Sequence, residues 1–178
     1  MDKTQIRRVT PEDIRELQHI AKMTFYETFK NENTEADMKH YLAGSFSVSR
    51  ITEELNHADS EFYFALQGEE VIGYLKINLN SAQTEIREEN GLEIERIYVL
   101  REFHGKKVGQ VLYNKALEIA KKKNVDFVWL GVWKHNPRAI SFYRKNGFVE
   151  FDKHIFKLGS DEQTDIMMRM EIVENQDS

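Results

Sequence analysis

Residues 91–110 read GLEIERIYVLREFHGKKVGQ, an apolar strand that runs through a short loop into the start of a helix. The strand carries a break in phase. Leu92 and Ile94 share one face, whereas Ile97 and Val99 would point the other way in a regular strand, whose side chains alternate. Either both faces are buried, or one extra residue near Glu95 and Arg96 restores a single apolar face; bulges of that kind open sheets beside active sites. The loop over 101–109 then brings Gly105, Lys106, Lys107 and Gly109 to a helix N-terminus. Free backbone N–H groups and the helix dipole there suit an anion. The spacing is neither a dinucleotide fingerprint nor a Walker A loop, because the GK[ST] ending is missing.

Outward from this unit the chain alternates strands and helices. IRRV at 6–9 is a short strand candidate, and Thr10-Pro11-Glu12-Asp13 reads as an N-cap, a first-turn proline and acidic residues opening a helix. Its apolar face is Ile14, Leu17, Ile20 and Ala21. A second helical region covers roughly 34–56, broken near Gly44. Strands at 61–66 and 70–79 flank Gln67-Gly68-Glu69, a hairpin turn, and a polar stretch fills 80–90. Beyond the central strand, a helix over about 108–123 is followed by FVWLGVW at 127–133, apolar on both faces as in a covered central strand. Asn136 and Pro137 open one more helix, Gly147 closes it, and strands at about 148–157 and 165–172 end the order. This predicts one α/β domain over 1–174 with a mixed sheet. Residues 175–178 read as a frayed tail.

Composition narrows the function. The 178 residues are 40% hydrophobic and 31% charged, ordinary for a globular chain. No apolar run approaches the ~18 residues of a membrane span, and the N-terminus has no signal-peptide pattern, so a cytoplasmic protein is expected. With no cysteine there is neither a thiolate metal site nor a cysteine nucleophile. The six histidines form no pair at helical metal spacing, so no metal is expected. A net charge of −5 argues against nucleic acid as the main partner and favours a cationic one.

The segment after the strand at 127–133 sharpens this. Asn136, Ala139, Phe142, Tyr143, Gly147 and Phe148 fit N-x-x-A-x-x-[F/L]-Y-x-x-x-G-F, and residues 104–109 approximate [Q/R]-x-x-G-x-[G/A]. In this order and separation, over about 92–150, the chain resembles the GNAT acetyltransferase superfamily. The resemblance implies a mixed, mostly antiparallel central sheet flanked by helices and splayed between its two central strands, with acetyl-CoA as acetyl donor. His104 stands in the Gln/Arg slot and Lys107 replaces a glycine. If position 107 needs a positive φ, a side chain there could crowd the pyrophosphate, or its ammonium could partner the phosphates. The stretches TFYETF at 24–29, WLGVW at 129–133 and EQTDIMM at 162–168 are further similar to the bacterial polyamine N-acetyltransferases of that superfamily, which act on spermidine and spermine.

The resemblance implies roles. Cofactor contacts are expected from the backbone of Ile97, Tyr98 and Val99, from His104, Gly105, Lys106, Lys107, Val108, Gly109 and Gln110, and from Asn136 and Lys145. Tyr143 stands where the family carries the acid that protonates the departing thiolate; its plain alternative is a core aromatic. An alkylammonium with a pKa of about 10.4 is only about one part in 2,000 free base at pH 7. Glu93, or less readily Glu95, could draw its proton away through water, unless both are paired with Arg96. Glu27, Tyr41, Glu85, Glu88 and Glu89 are candidates for a cation-accepting rim, and Trp129 and Trp133 for core. Other acceptors, such as protein N-termini or aminoglycosides, and a non-catalytic regulatory module stay open, as does a homodimer. No helix is basic enough to read DNA.

Overall fold

The computed structural model describes residues 3–85 and 90–173. Strand β1 (Gln5–Arg8) leads through a 3-10 turn into helix α1 (Ile14–Phe29), followed by α2 (Glu35–Ser45) and α3 (Val48–Leu55). Strands β2 (Ser60–Gln67), β3 (Glu70–Leu79) and β4 (Gly91–Val99) precede α4 (Val108–Lys122), β5 (Phe127–Trp133), α5 (Pro137–Lys145), β6 (Val149–Leu158) and β7 (Asp161–Glu171). The strands form one sheet in the order β1-β2-β3-β4-β5-β7-β6, in which only β4 and β5 run parallel. Helices cover both faces. Leu112, Ala116 and Ile119 of α4 and Ile140 of α5 pack with Leu75, Ile77 and Ile94 on one side. Leu17, Ile20 and Phe25 of α1, Met38 of α2 and Ile51 of α3 pack with Phe62, Phe64 and Tyr74 on the other.

Two boundaries differ from the sequence reading. The helical break falls after Phe46 rather than at Gly44, because the Ser47 hydroxyl accepts the Arg50 N–H at 3.2 Å and starts a new helix. A serine N-cap fixes a helix start more firmly than one interior glycine interrupts a helix. Strand β7 begins at Asp161, four residues earlier than expected, because Gly159, at φ 63°, makes a tight turn after β6.

The predicted bulge is present. Lys76 pairs with Arg96, but the next residue, Ile77, pairs with Ile94, so Glu95 is the extra residue. Leu92, Ile94, Ile97 and Val99 therefore all join the core beneath α4 and α5, while Tyr98 faces the other core. Glu95 does not point into solvent. Its carboxylate lies 2.6 Å from the Lys76 ammonium and 3.5 Å from the Arg96 guanidinium, whose other nitrogens donate to Glu54 of α3 at 3.0 and 3.1 Å. Lys76 also stands 3.6 Å from Glu54. Two cations and two anions thus balance in a cluster where Lys76 is only 4% exposed. Such groups stay charged in an interior only when paired this closely.

The second irregularity is between the parallel strands. β4 and β5 pair only at Gly91–Phe127, Leu92–Val128 and Glu93–Trp129, and then diverge. From Ile94 onward β4 has a partner on one side only. Among the described residues no helix is long and apolar enough to cross a membrane.

Candidate active site

The divergence of β4 and β5 opens a cavity of about 790 Å³. One wall is the free edge of β4. The Leu100 N–H donates to the Ile72 carbonyl at 2.9 Å, so by antiparallel alternation Tyr98 and Arg96 turn their backbone groups to β3, and Ile97 and Val99 turn theirs to the opening. His104 answers part of this exposure. Its ring N–H meets the Val99 carbonyl at 2.8 Å, an interaction that anchors the loop to the strand end.

The floor is the start of α4. Gly105 and Lys107 both have positive φ, 79° and 64°. Lys107 is the left-handed N-cap residue, so the condition under which its side chain matters is met. A Cβ at Gly105 or Gly109 would meet nothing within 4 Å, which leaves the backbone of this turn approachable. Val108 and Gln110 line the same cavity, as do Arg101 and Arg138. Concave turns of N–H groups at a helix start, flanked by cations, fit a pyrophosphate. The site therefore suits the CoA group: a strand edge for pantetheine amides and a cationic helix start for its phosphates.

Most predicted cofactor residues gather here, but two do not. Lys106 and Lys145 line neither this cavity nor its neighbour. The Lys106 ammonium sits over the Phe103 ring, 5.3 Å from its centroid, and Lys145 lies in the exposed last turn of α5. Asn136 caps α5, its side-chain oxygen accepting the Ala139 N–H at 3.2 Å, and it also lines the cavity. Arg101 and Arg138 escaped the sequence reading, although cations flanking both motifs were the available signal.

A second cavity of about 550 Å³ lies on the α1–α3 side and shares Ile97, Tyr98, Trp133, Asn136, Ala139 and Tyr143 with the first. Tyr143 sits at this junction. Its ring packs edge-on against Phe142 and Phe148, and its hydroxyl has no hydrogen bond among the described residues. Burial, with a small push from Tyr113, lifts the phenol well above its ordinary pKa. It is fully protonated at neutral pH.

The acidic residues of the second cavity are not equivalent. Glu93 is 3% exposed and accepts from Asn78 at 3.0 Å, from the Thr84 N–H at 2.8 Å and from the Thr84 hydroxyl at 2.6 Å. Burial and the nearby Glu95 charge raise its pKa against those hydrogen bonds. Burial would raise Glu95 too, but Arg96 and Lys76 outweigh it and hold the carboxyl below the ordinary range. Glu95, not Glu93, is thus the residue paired with Arg96. Glu85 meets His154 at 3.0 Å, and Tyr41 stacks on Phe25 with centroids 4.8 Å apart. Glu27 does not belong with them: it lines the first cavity and accepts the Arg101 N–H at 3.2 Å. Glu88 and Glu89 lie outside the described residues. Trp129 and Trp133 are buried, with indole N–H groups donating to Gln83 and Gln163, each at 2.7 Å; Trp133 also lines both cavities.

A slot along an open strand edge, ending at a cationic helix start and meeting a second polar chamber, defines a transferase that brings a CoA thioester to a separate acceptor. Residues 14–148 match the acetyltransferase (GNAT) family. Along 173 residues the chain is 36% identical to an uncharacterized N-acetyltransferase in the pepI 3' region of Lactobacillus delbrueckii subsp. lactis, covering 97% of this chain and all of that one. A spermidine N(1)-acetyltransferase of Thermoplasma acidophilum is 26% identical over 148 residues, 81% of this chain and 87% of its own. The PaiA N-acetyltransferase of Thermoplasma acidophilum, solved in complex with coenzyme A, superposes with a TM-score of 0.78 at 24% identity, over 96% and 99% of the two chains. The chain belongs to the GNAT acetyltransferase family and is an N-acetyltransferase that uses acetyl-CoA. Among the described residues no group of three His, Asp or Glu side chains could hold a metal ion.

Proposed function

We propose that the protein, as one domain over 1–174, acetylates a primary amine of a polyamine such as spermidine or spermine, by direct attack within a ternary complex. The observation that carries this is the meeting of the two cavities at Ile97, Tyr98, Asn136 and Tyr143, the first with cations at its helix start, the second lined by Glu85, Glu93, Glu95 and Asp165 together with Arg50, Arg96 and His154. The name of the Thermoplasma spermidine enzyme supports the acceptor class. Acetyl-CoA, when bound, supplies the thioester carbonyl. The residues do the rest.

Ile97 and Val99 offer backbone groups to the pantetheine amides, and Asn136 is placed to bond one of them as well as capping α5. The turn at 105–109, with Gln110 and Lys107, holds the phosphates. The acceptor must reach the junction as a free amine, which costs about 4.6 kcal/mol for an alkylammonium at pH 7. Glu93, its pKa raised by burial, draws that proton away through water. As the C–N bond forms and the C–S bond breaks, the Tyr143 hydroxyl protonates the leaving sulfur, and the proton released by the new amide nitrogen restores the phenol. With no cysteine in the chain, the acetyl group has no thiol of the enzyme to rest on.

The test is a panel of amines with acetyl-CoA, following release of free thiol. Spermidine and spermine should outpace monoamines and peptides with free N-termini. In parallel, acetyl-CoA at about 100 times its Kd should stabilise the fold by about 2.7 kcal/mol in thermal melts. Turnover of N-terminal peptides with none of polyamines would overturn the acceptor assignment; a melt insensitive to acetyl-CoA would overturn the cofactor site.

A further inference from the structure

The acceptor cavity contains a carboxylate that the proposed chemistry leaves unused. Asp165 lies on β7, directly across from Trp133 of β5 on one side and from His154 of β6 on the other. Among the described residues its side chain makes no hydrogen bond and no ion pair. It differs in this from Glu93, Glu95 and Glu85, whose oxygens are taken by Thr84 and Asn78, by Lys76, and by His154 respectively. Gly131 on β5 leaves it open. A Cβ there would come 3.4 Å from Asp165 Oδ2, and glycine at that point keeps the space above the carboxylate clear.

The surroundings say what would satisfy this group. Burial lifts the Asp165 carboxyl to about 6, only partly opposed by His154. The groups acting on it are His154, Tyr98 of β4, and Glu85 beyond His154; of the two arginines in the same cavity, Arg96 is held by Glu54 and Glu95, and neither it nor Arg50 forms an ion pair with Asp165. A partly buried anion without a cation calls for one from the ligand. Its position is also specific. Asp165 lines the second cavity but not the first, whereas Tyr143 lines both, so the carboxylate lies on the acceptor side of the junction.

We infer that Asp165 binds a second ammonium group of the acceptor, so that the enzyme selects molecules carrying another positive charge at a distance from the amine being acetylated. This rests on the acceptor being an amine, as proposed above, and makes Asp165 a determinant of specificity rather than of the chemical step. Charge-assisted contacts of this kind typically carry about 10- to 100-fold in affinity.

The test compares wild type with Asp165→Asn and Asp165→Glu, using spermidine and butylamine as probes. Kinetics are read as kcat/KM, and spermidine binding to the CoA-loaded protein is read by calorimetry. For Asp165→Asn, spermidine should weaken by about 10- to 100-fold, mainly in KM, and by at least about tenfold more than butylamine does. Asp165→Glu should recover part of the loss. The acetyl-CoA shift in thermal melts should persist in both variants and certifies the fold. Equal losses for the two amines, or no loss for spermidine binding, would overturn the assignment. Spermidine that binds wild type through Asp165 but is not acetylated would uphold the assignment and overturn the proposed reaction instead; a wild type that does not bind spermidine overturns both.

Discussion

Replacing Lys76 by Met removes the cation on which the bulge of β4 depends. Lys76 is 4% exposed, and its ammonium touches Glu95 at 2.6 Å and Glu54 at 3.6 Å. Methionine fills similar volume, so the packing loss is small and the electrostatic loss dominates. Two carboxylates would then share Arg96, leaving the cluster with one net negative charge in the interior. Removing one partner of a buried pair costs about 3–5 kcal/mol, which in a chain of this size lowers Tm by about 6–20 °C. The pH dependence has a definite sign. Arg96 and Lys76 hold the Glu95 carboxyl below its ordinary range against burial, so its stabilising contribution is complete above the unfolded pKa and fades as pH falls through the folded one. The gap between wild type and Lys76→Met should thus be widest at pH 7–8 and narrow toward pH 4. Urea unfolding and calorimetric melts at both ends measure it. Lys76→Met combined with Glu95→Gln should recover at least half the loss. A single variant within about 1 kcal/mol of wild type at pH 7.5, or a double variant less stable than the single, would refute the reasoning.

Tyr143→Phe keeps the ring contacts with Phe142 and Phe148 but deletes the proton, so kcat should fall about 10²- to 10⁴-fold with little change in the amine KM. Retention of more than about a third of wild-type kcat, with acetyl transfer shown to be rate-limiting, would make it a core aromatic. Lys107→Gly should stabilise the ligand-free fold by about 0.5–1 kcal/mol, since a left-handed lysine costs ~1–2 kcal/mol and glycine returns ~0.4–1 of that as chain entropy. The same variant should bind CoA more weakly and with a shallower salt dependence, by calorimetry at two ionic strengths; tighter binding would mean that the side chain only crowds the phosphates.

The sequence pointed to the bulge because Ile97 and Val99 fall on the wrong parity after Leu92 and Ile94, an offset that one surplus residue corrects. It did not show what fills the other face. Lys76, Glu54 and Glu95 come from three elements, and no local period places Glu54 of α3 beside β3. The helix-terminal residues Asn136 and Gly147 were legible because caps are local chemistry. Asp165 was within reach: Gln163, Asp165 and Met167 share a face by period two, so an acid on a strand's inward face was available as a signal. Its isolation was not, because that depends on Glu85, far off in the sequence, claiming His154. For the same reason Glu27 and Glu85 looked alike in the sequence and stand in different chambers.

The short zipper between β4 and β5 has one more consequence. Sheets usually confine unpaired strand edges to their rims, where they are exposed to stray chains. Here an unpaired edge begins at Ile94 in the middle of the sheet, inside the cleft where β4 and β5 part. The backbone amides of Ile97 and Val99 should therefore exchange with deuterated water far faster than those of Tyr98 and Arg96 in the same strand, and slow together once a ligand lies along the edge. Alternate residues of one strand would then report occupancy of the slot.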